Sequence, residues 1–197
     1  MNDFNRIAGI YDPIKNLVFG DKLDNASIHF LDRIQEGERV LILGGGSGKI
    51  LKSITSNAQI TYVERSQVMI RYAKQNAKEG VVFVCDDFME FDSSVKFDWV
   101  VCPYLLDVFG LENLKLAVRK IHDLLEPDGK LMVTDFQKGA WYQNLFVRFM
   151  YLFFGWTTNI ETKSLNNIHQ VITEKGFFEK ELHFFVNRMV FSRVYRK

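Results

Sequence analysis

The sequence predicts a doubly wound α/β domain, with a mostly parallel sheet of about seven strands, helices on both faces and extra helices at the N-terminal end. Three observations carry this. Short apolar runs alternate with longer amphipathic segments along the chain. The runs are continuously apolar and often β-branched, which is how strands covered on both faces of a parallel sheet read. A glycine-rich turn joins the first run to the segment after it.

The runs come in order. Val40-Leu41-Ile42-Leu43 is the first and ends in glycines, and Ile60-Thr61-Tyr62-Val63 is the second. Val81 to Cys85, Trp99 to Cys102 and Leu131 to Thr134 follow. Between them, Lys49 to Asn57 reads as a helix. Ser66 to Lys78 reads as another, with Ser66 at the N-cap and Gly80 past its end. Leu111 to Leu125 carries Leu114, Leu116, Val118, Ile121, Leu124 and Leu125 at roughly helical spacing and stops before Pro127. A β-α-β-α-β order with short connections implies parallel strands. Residues 1–36 read as helical, broken near Pro13 and Gly20, and Leu182 to Tyr195 reads as one or two further strands. No boundary divides the chain. It is taken as one domain with an N-terminal helical lid (1–36), a ligand-binding core (37–135) and a substrate side (136–197).

Composition narrows the function classes. The 197 residues suit one domain. A net charge of +1 gives no field that would draw nucleic acid. The two cysteines, Cys85 and Cys102, form neither a disulfide framework nor a zinc-type spacing, so no metal is expected. Met1 to Arg6 is polar, with no basic stretch leading into an apolar run, and a cytoplasmic location is expected. Leu145 to Trp156 is aromatic-rich but interrupted by Arg148 and too short to span a bilayer, which takes about 20 apolar residues. It reads as a buried helix, a hydrophobic substrate wall or, within 141–156, a peripheral membrane face.

The strongest local feature is Leu43-Gly44-Gly45-Gly46-Ser47-Gly48-Lys49. Glycines at 44, 46 and 48 permit a tight turn and let a ligand approach the backbone without meeting a Cβ. Glu64 ends the second strand about 20 residues beyond the first glycine, where an acid can accept hydrogen bonds from both ribose hydroxyls. The third strand ends in Cys85-Asp86-Asp87-Phe88, whose acids can accept from an adenine amino group and whose phenyl ring can lie against the base. In open α/β sheets ligands bind at the carboxyl ends of the strands, and Gly44, Glu64 and Asp86 all fall there. The spacing is G-x-G-x-G rather than the dinucleotide G-x-G-x-x-G, and Gly48-Lys49-Ile50 lacks the Ser or Thr of a P-loop.

Together these segments resemble class I S-adenosylmethionine-dependent methyltransferases, a Rossmann-like family, over roughly Phe4 to Gly176. Val40 to Gly48 is similar to the family's cofactor loop, Val63-Glu64-Arg65-Ser66 to its ribose motif and Cys85-Asp86-Asp87-Phe88 to its adenine motif. Phe97 to Val101 resembles the entry into strand four, and Leu124 to Leu131 the helix-turn-strand before strand five. Arg6-Ile7-Ala8-Gly9-Ile10-Tyr11-Asp12 resembles the N-terminal helix of the quinone-biosynthesis C-methyltransferase subgroup, which makes Tyr11 a lid residue over the cofactor. The resemblance implies S-adenosylmethionine as cofactor, held by Tyr11, Gly44, Gly46, Ser47, Gly48, Glu64, Asp86, Asp87, Phe88 and Cys102. One departure stands out. The family usually carries an acid two residues before the first glycine, and this chain has Ile42.

Methyl transfer from a sulfonium needs mainly positioning, and a base only if the acceptor must lose a proton. Residues after strand four lie nearest the transfer, so Tyr104 and Asp107 are the catalytic candidates, as base or as acceptor-orienting groups. Val101-Cys102-Pro103-Tyr104 lacks the leading Asn or Asp of the motif used on amino nitrogens. The histidines have no role by spacing, and His122 reads as structural. A small apolar or aromatic acceptor is expected. Two alternatives stay open: a methyltransferase-like binding module without turnover, favoured by Ile42, and an NAD-dependent oxidoreductase, disfavoured by the glycine spacing.

Overall fold

The computed structural model describes residues 21–137 and 166–197. Tyr11, most of the N-terminal lid and the aromatic segment 141–156 lie outside them.

Seven strands form one sheet: β1 (Arg39–Leu43), β2 (Gln59–Val63), β3 (Val82–Val84), β4 (Phe97–Pro103), β5 (Leu125–Phe136), β6 (Phe178–Phe185) and β7 (Val190–Arg196). Their spatial order is β3-β2-β1-β4-β5-β7-β6. The first five run parallel, and β7 lies antiparallel between β5 and β6. Chain order reverses between β1 and β4, the switch point at which such sheets open a crevice.

Alternate residues of the central strands feed two cores. Leu41, Leu43, Val100, Cys102, Leu131 and Val133 pack with helices α3 (Leu111–Leu124) and α4 (Ile168–Glu174) on one face. Val40, Ile42, Tyr62, Trp99, Val101 and Met132 pack on the other, against Leu31, Ile34, Leu51 and Ala73. Burial on both faces explains why the runs are apolar without alternation. At about 25 cal/mol per Å² of apolar surface, each fully buried Leu, Ile or Val contributes about 1.5–3 kcal/mol before its entropic cost. Helix α1 (Lys22–Ile28) buries Leu23 and Ala26 near β7 and β6.

Helix α2 (Gln67–Asn76) begins where expected: Ser66 caps it, its hydroxyl accepting from the Met69 amide at 3.3 Å. Four expectations need correction. The segment after the glycines is a 3₁₀ helix of five residues, Lys49–Ser53, rather than a helix reaching Asn57. Thr55, Ser56 and Asn57 favour turns over helix, which is why it stops early. The third strand is only Val82–Val84, and Val82 is 58% exposed, because β3 is the outermost strand with a single neighbour. Helix α3 ends at Leu124 and β5 starts directly at Leu125, with Glu126 to Gly129 absorbed as a register shift opposite Phe97 and Trp99. Leu116, read as part of the buried stripe of α3, is 53% exposed. Its neighbours Leu114, Ala117, Val118 and Ile121 take the core-facing positions.

The glycine turn is seated on α2. Gly48 has φ +76, and a Cβ there would come within 2.6 Å of Ala73 Cα and Cβ. Asn76 Nδ2 at the end of α2 donates to the Ser47 carbonyl at 2.8 Å. Gly48→Ala therefore combines a left-handed penalty with a helix displacement, and urea unfolding should show a loss of about 3 kcal/mol. Gly46→Ala, at φ +60 with open space around the added Cβ, should lose about 1 kcal/mol.

Candidate functional site

Because β1 to β5 are parallel, the residues that follow them share one edge of the sheet. Gly44 follows β1, Glu64 follows β2, Cys85-Asp86-Asp87 follows β3, Tyr104 to Asp107 follow β4, and Asp135 and Phe136 end β5.

The glycine turn passes over the end of β2. The Gly44 amide donates to the Val63 carbonyl at 2.9 Å, continuing the ladder. Glu64 then bridges two backbones, accepting from the Gly46 amide at 3.2 Å and from the Ser66 amide at 2.8 Å. Burial pushes the Glu64 carboxyl above its ordinary range, while the bonds from Ser66 and Gly46 pull it back toward the charged form. A Cβ on Gly46 would meet nothing within 4 Å, so beside a half-buried acid the loop leaves a space free of side chains. A ribose-bearing ligand needs such an opening.

The two acids after β3 differ in use. Asp87 is spent on its own turn: Oδ1 accepts from the Met89 amide at 2.9 Å, and Arg65 reaches Oδ2 at 3.4 Å. Asp86 is exposed and accepts from the Asp87 amide at 2.8 Å, leaving its carboxylate open to a ligand. Two expected ligand residues are core side chains instead. Phe88 is 5% exposed and Cys102 fully buried, both in the cluster under α3, and burial drives the Cys102 thiol far above its usual range. Neither side chain is offered to a ligand in this conformation, because both pack among the apolar residues of that core.

The edge after β4 is strained and polar. Tyr104 has φ 54, in the left-handed region that costs a non-glycine residue about 1–2 kcal/mol. Its hydroxyl donates to the Leu23 carbonyl of α1 at 2.9 Å, and its ring lies 5.4 Å from Phe136. It ties the first helix to the strand ends, so a role as base does not suit it. Asp107 is buried against Asp135, a residue the sequence reading passed over. Asp135 Oδ2 accepts from the Leu106 and Asp107 amides at 3.0 and 3.2 Å, and Oδ1 accepts from Phe136 at 3.1 Å. Burial first, and then the Asp107 charge, pushes Asp135 well above the usual carboxylate range.

Other residues were also missed. Tyr62, read only as part of a strand, lies beneath the glycine turn. His29 and His183 stack at 4.3 Å between α1 and β6, with His29 held below its usual pKa by burial and by the facing imidazole. His169 Nδ1 sits 3.1 Å from the Tyr195 hydroxyl. His122 packs edge-on to Phe177 in the last turn of α3, in line with its structural reading though not mid-helix. Among the described residues no cluster of three metal-ligating side chains occurs, and no helix is long and apolar enough to cross a membrane.

Comparison with known proteins agrees with this architecture. A methyltransferase-domain family profile matches residues 40–129. The chain is 26% identical over 145 residues to a ubiquinone/menaquinone biosynthesis C-methyltransferase of Hydrogenovibrio crunogenus, covering 68% of this chain and 57% of that protein. It is 23% identical over 155 residues to sphingolipid C9-methyltransferase 1 of Gibberella zeae, covering 73% of this chain and 30% of that protein. The chain thus spans less than two thirds of the length of either relative. In fold it is similar to the 1,6-didemethyltoxoflavin-N1-methyltransferase of Burkholderia thailandensis, solved with bound 1,6-didemethyltoxoflavin and S-adenosylhomocysteine. There the TM-score is 0.72 at 15% identity, over 99% of this chain and 86% of that one.

The buried Asp135 proton has a measurable consequence. An ordinary Asp titrates near about 3.9. Above that pH the unfolded chain has lost a proton that folded Asp135 still holds, so this group's contribution to stability falls as pH rises. In urea unfolding at a series of pH values, the deficit of Asp135→Asn relative to wild type should be largest near about pH 4 and shrink toward neutral pH. A deficit that grows with pH would contradict the buried proton.

Over residues 40–129 the chain is similar to a methyltransferase domain, and its strand order and glycine turn sit in a fold similar to that of a solved methyltransferase.

Proposed function

We propose that this chain binds S-adenosylmethionine and transfers its methyl group to a small apolar or aromatic molecule. The observation that carries this reading is the pairing of the half-buried Glu64 carboxylate with the Gly46 amide beside a loop position where an added Cβ would meet nothing. Glu64 would accept from the ribose hydroxyls, the turn Gly44 to Gly48 would admit the amino-acid portion, and Asp86 would accept from the adenine amino group. Tyr11 is proposed to close over the same ligand. When bound, the cofactor supplies a methyl carbon already activated by its sulfonium.

The chain's own residues then position and exclude water. The strand ends hold the turn after β4 beside the turn after β1: Leu105 lies 3.1 Å from where a Gly44 Cβ would stand. On that side Asp107, buried against Asp135, is the group able to take a proton from an acceptor or to orient it. The acceptor class draws on similar proteins, whose names specify a didemethyltoxoflavin, a quinone pathway and a sphingolipid rather than a nucleic acid. The aromatic stretch 141–156 is proposed to cover the acceptor or to meet a membrane surface.

A dinucleotide fits less well. A pyrophosphate needs a helix N-terminus, and the element after the glycines is a five-residue 3₁₀ helix with no side-chain cap. Titration calorimetry with S-adenosylmethionine and with NAD tests the choice. Micromolar binding of the first, about −8 kcal/mol, is expected, with no heat from NAD. Glu64→Gln should weaken the binding about tenfold to a hundredfold, as removal of a charged hydrogen-bonding group does. If neither ligand binds, the cofactor reading fails and a binding module without turnover replaces it.

A further inference from the structure

Tyr62 is a tyrosine where the strand pattern asks only for an apolar residue. It is fully buried in the sheet face that carries Ile42, Trp99 and Val101. Its ring lies 5.3 Å from Phe83 on the neighbouring strand, which fixes it from one side. From the other side the glycine turn rests on it: a Cβ added at Gly45 would come within 2.7 Å of the ring carbons Cε2 and Cζ. The hydroxyl donates to the Gly46 carbonyl at 2.9 Å. Burial pushes the phenol well above its ordinary range, so it keeps its proton and remains a donor throughout the neutral region.

Glu64 holds the same residue through its other backbone group, in the preceding peptide. Tyr62 and Glu64 are two apart, so they project to one side of β2. One accepts from the Gly46 amide and the other donates to its carbonyl. Ile42, the register partner of Tyr62 on β1, is fully buried and has no polar side-chain atom with which to share this task. Gly46 is left-handed at φ +60 with open space where a Cβ would stand, so these two bonds act on its backbone directly, while Asn76 and the Gly48–Ala73 contact hold the far side of the turn.

We infer that Tyr62 is a positioning residue for the nucleotide site: its hydroxyl clamps the Gly46 carbonyl and holds the glycine turn in the ligand-ready shape that, without an acid at position 42, the loop would not keep. This rests on the cofactor reading above. A pre-set loop spares the ligand the entropic cost of ordering it, so loosening the clamp should lower affinity without touching any atom that contacts ligand.

The test compares wild type with Tyr62→Phe in two measurements. Calorimetry with S-adenosylmethionine and S-adenosylhomocysteine should show affinity for both falling about tenfold. Hydrogen exchange, run well below the unfolding temperature, should show faster exchange over residues 45–48, with the amides of β1 and β4 unchanged. A merely structural role would instead speed exchange across the sheet or leave the loop no faster than the rest. Affinity within twofold of wild type, or acceleration spread over β1 and β4, overturns the inference. If wild type binds neither ligand, the cofactor reading fails by itself, and the exchange comparison alone decides whether Tyr62 holds the loop. Should Tyr62→Phe not fold, Gly45→Ala, which keeps the hydroxyl but drives the ring away from the turn, should give the same two changes.

Discussion

Coverage of both faces of β1 and β4 is the constraint from which the rest of this structure follows. Two adjacent strands cannot bury every side chain unless helices pack above and below them, and Leu41 with Val100 serves one layer while Ile42 with Val101 serves the other. With no polar face to spare on these strands, recognition is confined to their ends. The direction of chain travel switches between this pair, so the turns that leave them diverge and a crevice opens. The glycine turn and the Tyr104–Asp107 turn are the two lips of that crevice.

Much of this could be read from residues. Continuous β-branched runs identified β1, β2 and β4, since burial on both faces leaves no alternation to confuse with a surface strand. Glu64 was legible because its role depends on sequence spacing: a βαβ unit puts the second strand's end a fixed distance beyond the glycines. The errors have a common origin in neighbours far along the chain. The five-residue 3₁₀ helix replaces a longer helix partly because Gly48 must lie against Ala73. The strand β5 begins early because Leu125 pairs with Phe97, a contact that no local propensity records. Phe88 and Cys102 were read as ligand residues from their place near strand ends, but their side chains pack in the core.

Tyr62 and Asp135 escaped for different reasons. A tyrosine in an apolar run is indistinguishable from a core aromatic until its hydroxyl is seen to have a partner. Asp135 falls one residue past the run read as the fifth strand, yet it accepts from amides of the turn after β4 and lies against Asp107, 28 residues upstream. Both are polar groups whose burial is tolerable only because each is hydrogen-bonded. In both cases the bonded partner is backbone of a turn that leaves a strand end. Buried polarity in this fold collects where the strand ends must be held in place against one another.

The placement of β7 has a consequence for how the chain is made. β7 is synthesised after β6, yet it lies between β6 and β5 in the sheet. Until residues 190–196 leave the ribosome, the edge of β5 from Lys130 to Phe136 has no partner strand, and β6 has nothing to join. An uncovered apolar edge is a template for pairing with other chains. The nascent protein therefore carries its greatest risk of misassembly after β6 has been made and before β7 has, with the parallel strands already formed and the sheet still open beside β5.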